Sequence, residues 1–313
     1  MKHKINCLLL FFYLPQTVDA ITLVYNMKIR RVFAASALLR KEKKSIWVAT
    51  AVPIIYKRER HIVDEDLGIN ICEKIKSGGS LFNLRYVRSK TWWLEATTGI
   101  EKERVTSQSA QPFTASRTGL DDIVISGGHN MFFKENIQFV LYGIAGFPTR
   151  RNVTLQEAQN ALVGTRFFSL GVGAELSYSF VNTLKKSFIV LFQSRFLHFF
   201  KRNWSPILPA GAKIQPGNVT DLLFTAQYRK RRNIFEAGYN PTFFTNQAVI
   251  LKTVTIKGKN SVRNSIYANF AHICKNFPIL TTPVIVGAGF SLGESERFDT
   301  KNRALWLNIS TIF

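Results

Sequence analysis

Between Thr165 and His198 the chain reads in twos. Phe168, Leu170, Val172, Ala174, Leu176, Tyr178 and Phe180 alternate with Ser169, Gly171, Gly173, Glu175, Ser177 and Ser179. A polar run follows, Asn182 to Lys186. Beyond it Phe188, Val190, Phe192 and Phe196 share one face of a second segment, with Gln193 and Arg195 on the other. Strand side chains alternate between faces, so each segment carries one apolar and one polar or small surface. Strands of soluble sandwiches are short, with a mode of about 5–6 residues. These runs reach the length, about 9–11 residues or more, that a tilted strand needs to cross a bilayer. The pattern predicts a transmembrane hairpin.

The same alternation divides the rest of residues 45–313. Ile46 to Tyr56 is a first strand, although Pro53 fits an edge, a bulge or a strand end better than a central ladder. Ser80 to Arg88 and Thr91 to Glu103 form a hairpin across Ser89-Lys90. On its second strand Trp92, Leu94, Ala96, Thr98 and Ile100 oppose Trp93, Glu95, Thr97 and Gly99. Gly119 to Phe133 follows, turning at Lys134 to Asn136 into Ile137 to Phe147. Asp221 to Arg229 and Asn233 to Pro241 turn through Lys230 to Arg232; Val262 to Ile273 and Ile279 to Gly293 turn through Cys274 to Pro278. Arg303 to Phe313 is the last strand. Arg58 to Gly79, Arg104 to Thr118, Thr149 to Gly164, Phe199 to Val219, Thr242 to Ser261 and Glu294 to Asn302 are expected to be loops, the fifth with an extended arm at Val249 to Ile256. Short and long connections therefore alternate, as in barrels with short turns on one membrane face and long loops on the other. The reading is all-β: an antiparallel transmembrane β-barrel of about twelve strands, an even number as single-chain barrels have.

Composition agrees without deciding. The 313 residues are 46% hydrophobic, with 26 Phe and 13% aromatics, and mean hydropathy is close to zero. No apolar run in the body of the chain approaches the 18 or so residues of a membrane helix. Met1 to Ala20, with Lys2, His3 and Lys4 before an apolar stretch and Val18-Asp19-Ala20 at its end, reads as a secretory signal. Residues 21–44 read as a helical or loose segment. Of three cysteines, Cys72 and Cys274 are placed at opposite ends of the barrel and are not expected to pair.

The net charge of +22 points to an anionic partner. Nucleic-acid binders gather their basic residues on one face or in a tail. Here they recur between strands, at Arg150-Arg151, Lys185-Lys186, Lys201-Arg202, Arg229 to Arg232 and Lys257 to Lys259. The expected partners are lipid and lipopolysaccharide, not nucleic acid.

In the last strand Leu305, Leu307, Ile309, Thr311 and the terminal Phe313 share one face. This resembles the closing strand of bacterial outer-membrane β-barrels, whose final aromatic helps the assembly machinery recognise them; Thr311 departs from the pattern, where a larger residue is commoner. The resemblance implies an outer-membrane location and recognition of Phe313 by that machinery. It implies no narrower family and no oligomeric state.

Function is expected on the inward face. The register puts Glu95, Gln138, Tyr142, Glu175, Gln193, Arg195, Gln227, Arg229, Glu236, Asn240, Tyr267, Asn269 and Asn308 there. A lumen of mixed Glu and Arg is either a water-filled path, since rings of charge set ion preference, or a structural network filling a narrow barrel. The first reading gives passive transport of small solutes, with anion preference from the basic excess, no cofactor and no chemistry. The second gives a structural or surface barrel whose basic loops, at Lys201-Arg202 and Lys257 to Lys259, touch lipopolysaccharide. A third, a lipid hydrolase, needs Ser, His and an orienting group together; His198 near Ser194 is its best foothold. No metal-binding spacing stands out. Gly171 to Gly173 and Gly287 to Gly289 sit inside strands, and read as close packing or bends in the wall rather than nucleotide loops.

Overall fold

The computed structural model describes residues 45–64, 69–88, 92–108, 113–133, 136–149, 167–182, 186–203, 213–245, 248–250, 255–257, 260–274, 283–295 and 300–312. The expected signal sequence, residues 21–44 and Phe313 lie outside them. The strands are β1 (Ile46–Asp64), β2 (Ile69–Arg88), β3 (Trp92–Gln108), β4 (Phe113–Leu120), β5 (Ile123–Phe133), β6 (Ile137–Phe147), β7 (Ser169–Asn182), β8 (Lys186–Phe199), β9 (Arg202–Asn203), β10 (Lys213–Gln215), β11 (Val219–Lys230), β12 (Asn233–Phe244), β13 (Ala248–Ile250), β14 (Thr255–Lys257), β15 (Ser261–Cys274), β16 (Val284–Ser295) and β17 (Thr300–Ile312).

Thirteen of these join one antiparallel sheet, and the β2–β3 pairing closes it. β4 and β5 are successive halves of one strand along β3, so the wall has twelve strands. β1 meets β17 at the seam. Closure removes every unpaired edge, which is what allows a sheet to stand in hydrocarbon. The remaining four short strands form a separate sheet of order β14–β13–β10–β9, built from the connections that follow β8 and β12. The arm expected at Val249 to Ile256 is its β13–β14 pair.

Alternation governs the wall as expected. Leu170, Val172, Leu176, Tyr178 and Phe180 of β7 are exposed, while Ser169, Ser177 and Ser179 are buried. The outward apolar residues continue all round, through Leu94 and Ile100, Phe192, Phe224, Phe235, Ile266, Phe290 and Leu305 to Ile309. At the short-turn end a girdle of rings includes Trp47–Tyr86 (4.9 Å) and Tyr86–Trp92 (5.4 Å). From Trp47 to Lys57, β1 covers about 33 Å of strand. A tilt of roughly 35–45° brings that to about 25 Å, the height of an outer-membrane apolar band.

Two expected loops are strands. Residues Arg58 to Gly79 pair from Arg58↔Ile75 to Asp64↔Ile69, extending β1 and β2 beyond the apolar band. Arg104 to Thr118 is likewise a hairpin, β3 against β4 from Lys102↔Thr118 to Ser107↔Phe113. Their charge density suggests loops, but alternation persists with its sense changed: Ile75 and Val105 point inward, buried, while Lys74, Lys76 and Arg104 are exposed. Above a membrane a strand needs no apolar outer face.

Pro53 is exposed within β1, which has neighbours on both sides. The β1–β17 ladder skips Val52 and Pro53, passing from Ala51↔Ile309 to Ile54↔Trp306. A residue without an N–H is accommodated by that gap. Gly119 to Phe133 is not one uninterrupted strand. Asp121 and Asp122, both buried, insert an extra residue against β3, and the outward face moves from Leu120 to Ile123. Cys72 and Cys274 are both free.

Candidate functional site: the inward face and lumen

The residues expected to face inward lie at the parity of the buried positions. Glu95, Tyr142, Gln193, Arg195, Gln227, Glu236, Asn240, Tyr267 and Asn308 are buried; Gln138, Glu175, Arg229 and Asn269 are half-buried at the same parity.

The register brings several of them into one line. Trp93 pairs with Gly128, Gly128 with Tyr142, Tyr142 with Gly173 and Gly173 with Arg195. Arg195 pairs in turn with Asp221, Asp221 with Thr242 and Thr242 with Arg263. Strand tilt makes this line a ramp from the short-turn end to the long-loop end. Along it the Arg85 guanidinium lies 4.3 Å from the centre of the Trp93 ring, a cation–π contact. Trp93 and Tyr142 are 6.0 Å apart. Gln193 Nε2 donates to the Tyr142 hydroxyl at 2.7 Å. Arg195 donates to Asp221 Oδ2, and Asp221 Oδ1 accepts from Asn240 Nδ2 (3.1 Å) and Thr242 Oγ1 (2.6 Å).

Ring placement depends on glycine. Trp93, Tyr142, Tyr267 and Trp306 each lie on the glycine opposite: a Cβ at Gly128, Gly173, Gly238 or Gly289 would fall 2.2–2.7 Å from ring atoms. The rings therefore lie flat along the wall. This explains Gly173 of β7 and Gly289 of β16 as recesses.

The lumen is not uniformly polar. Val52, Ile54, Leu81, Leu191, Leu223, Tyr267 and Trp306 belong to one buried apolar cluster. β1 and β8 are half a circumference apart in the strand order, so this cluster bridges the interior. Periodicity finds the inward face but does not reveal which inward side chains meet across it; that depends on barrel diameter.

Charge inside differs from charge overall. Among the described residues, inward or buried acids are Glu95, Glu101, Glu103, Asp121, Asp122, Glu175, Asp221 and Glu236; the cations are Arg58, Arg85, Arg195, Arg229 and Arg263. Among the described residues the basic excess lies on outward faces and at strand ends. Of the two rim histidines, His198 Nδ1 is 2.8 Å from Asn218 Oδ1 and His272 Nδ1 is 2.6 Å from Asn233 Oδ1.

No protein-family model matches the chain, and no curated protein matches it. Among solved structures it is similar to an outer membrane channel from Pseudomonas putida F1, at 13% identity and a TM-score of 0.61, over 86% of this chain and 96% of that one. It is more loosely similar to the transport unit of the autotransporter AIDA-I from Escherichia coli (10% identity, TM-score 0.49, 88% and 91% covered) and to the CymD monoaromatic hydrocarbon channel (10%, 0.41, 88% and 90%). Only the first likeness is close enough to bear on the fold. With the closed twelve-strand sheet and its apolar belt, it defines a bacterial outer-membrane β-barrel.

Proposed function

We propose that the barrel is a narrow passive channel for small polar solutes, constricted where the ramp of ring and charged side chains meets the apolar cluster. The observation that carries this is the polar inward face of a closed twelve-strand wall, with Glu95, Gln193, Gln227, Glu236, Asn240 and Asn308 on it. The Trp93 and Tyr142 rings, seated on Gly128 and Gly173, support the same reading, since they lie along the wall rather than across the lumen. Among the described residues the inward or buried acids outnumber the cations, which favours cations over the anions expected from whole-chain charge.

Planar-bilayer recording tests this. The expected result is a small conductance whose reversal potential in a KCl gradient shows cation preference, enlarged in the Leu191→Ala/Trp306→Ala variant. Silence from both folded proteins would defeat it and favour the structural barrel, to which the apolar bridge across the lumen already lends weight.

A further inference from the structure

On the outer surface, immediately beyond the apolar belt, four strands present a transverse row of cations. Arg303 of β17 pairs with Lys57 of β1, Lys57 with Lys76 of β2, and Lys76 with Arg104 of β3. All four are exposed and outward. Strands lie about 4.8 Å apart, so the row runs about 14 Å around the rim. It stands two residues along the strand from the exposed apolar Ile55 and Leu305, at headgroup height. Lys74, Lys102 and Lys301 flank it on the same outward face. The acids nearby are Glu59, whose Oε1 is 2.8 Å from Lys57 Nζ, and Glu294, opposite Lys301.

Like charges directly opposite one another destabilise a sheet. Three such juxtapositions in succession are relieved where an anion shares them. We propose that the row Arg303–Lys57–Lys76–Arg104 binds the phosphates of an outer-leaflet lipid headgroup. Position selects a lipid rather than a free anion: the row faces away from the lumen and sits just above hydrocarbon, where an acyl chain runs down the belt beneath a phosphate. Cationic side chains at a membrane surface attract anionic lipid in the same way.

The test uses purified, folded full-length protein in detergent, titrated with bis-phosphorylated lipid A and with its dephosphorylated form. Wild type should bind the phosphorylated lipid at least tenfold more tightly. Lys76→Ser/Arg104→Ser should lose at least tenfold, and Lys57→Ser/Arg303→Ser, removing the other half of the row, should do likewise, so one poorly folding variant leaves the test intact. Lys186→Ser/Lys230→Ser, which removes the exposed cross-strand pair Lys186↔Lys230 at the opposite rim, should bind as wild type. An equal loss in that control, or no loss in the row variants, would overturn the site. Competition by millimolar inorganic phosphate matching lipid A would overturn the lipid as its ligand.

Discussion

Two arcs of the barrel differ in what their outer faces carry. In the arc of β17, β1, β2 and β3, toward the long-loop end, cations cover the outer face, and apolar side chains share the inner face with Arg58, Glu101 and Glu103. Lys57, Lys76, Arg104 and Arg303 are outside; Ile54, Ile75, Leu81 and Val105 are inside. In the arc of β8, β11 and β12, Arg195, Asp221 and Asn240 are inside, while Phe196, Phe224 and Phe243 face lipid. The rim continuing from that second arc is aromatic, with Phe147–Phe168 at 5.4 Å, Phe168–Phe200 at 5.2 Å and His198–Phe200 at 4.9 Å. Both arcs obey the two-residue period. They differ in what lies outside: hydrocarbon for one, headgroups and water for the other. A period identifies faces, and the surrounding medium decides whether the outer face can carry charge.

The largest test removes charge from inside the second arc. Asp221 is 4% exposed and satisfies Arg195, Asn240 and Thr242 together. Asp221→Ala leaves the Arg195 guanidinium buried without its carboxylate, a loss of about 3–5 kcal/mol where such pairs are broken. Replacing both, as Arg195→Met/Asp221→Leu, should cost far less. Urea midpoints of reversible folding into vesicles measure both. Equal destabilisation by the single and double variants would show that the pair matters as a pair, not as a neutralised charge.

A second test exchanges the outer faces. Phe224→Arg puts a cation near mid-belt beside Phe192, 5.0 Å away ring to ring, and should cost about 2–4 kcal/mol. Ile55→Arg, at the edge of the cationic arc, should cost about 0–1 kcal/mol, as interfacial positions do. Similar midpoint shifts for the two would mean that the arcs do not differ in their surroundings.

This contrast also explains what the sequence made legible. Strand number, the β7–β8 hairpin and the parity of the inward positions follow from period and polarity, because lipid imposes an apolar outer face wherever it touches. The tall β1–β2 and β3–β4 hairpins were hidden because they leave lipid: Ile75 and Val105 keep the period but point inward, among lysines that look like loop. The Asp121-Asp122 bulge is a local shift of register that only its partner strand discloses. The cationic row was least visible of all. Lys57, Lys76, Arg104 and Arg303 are scattered in sequence, and only cross-strand register sets them side by side.

The smallest expected effect comes from the acid within that row. The hydrogen bond from Lys57 holds the Glu59 carboxyl below the usual carboxylate range, helped by the charges of Lys57, Lys74 and Arg303. Glu59 is therefore ionised at neutral pH and competes with a lipid phosphate for Lys57. Glu59→Gln should tighten binding of phosphorylated lipid A by a few-fold, the scale of an exposed, screened ion pair, opposite in sign to the serine variants. The pH dependence follows from the lowered value: wild type and Glu59→Gln should differ throughout the neutral range and converge only as pH falls through the depressed Glu59 titration. Weaker binding by Glu59→Gln would mean instead that Glu59 holds Lys57 in position for the phosphate, so side-by-side titration of the two proteins decides between competition and support.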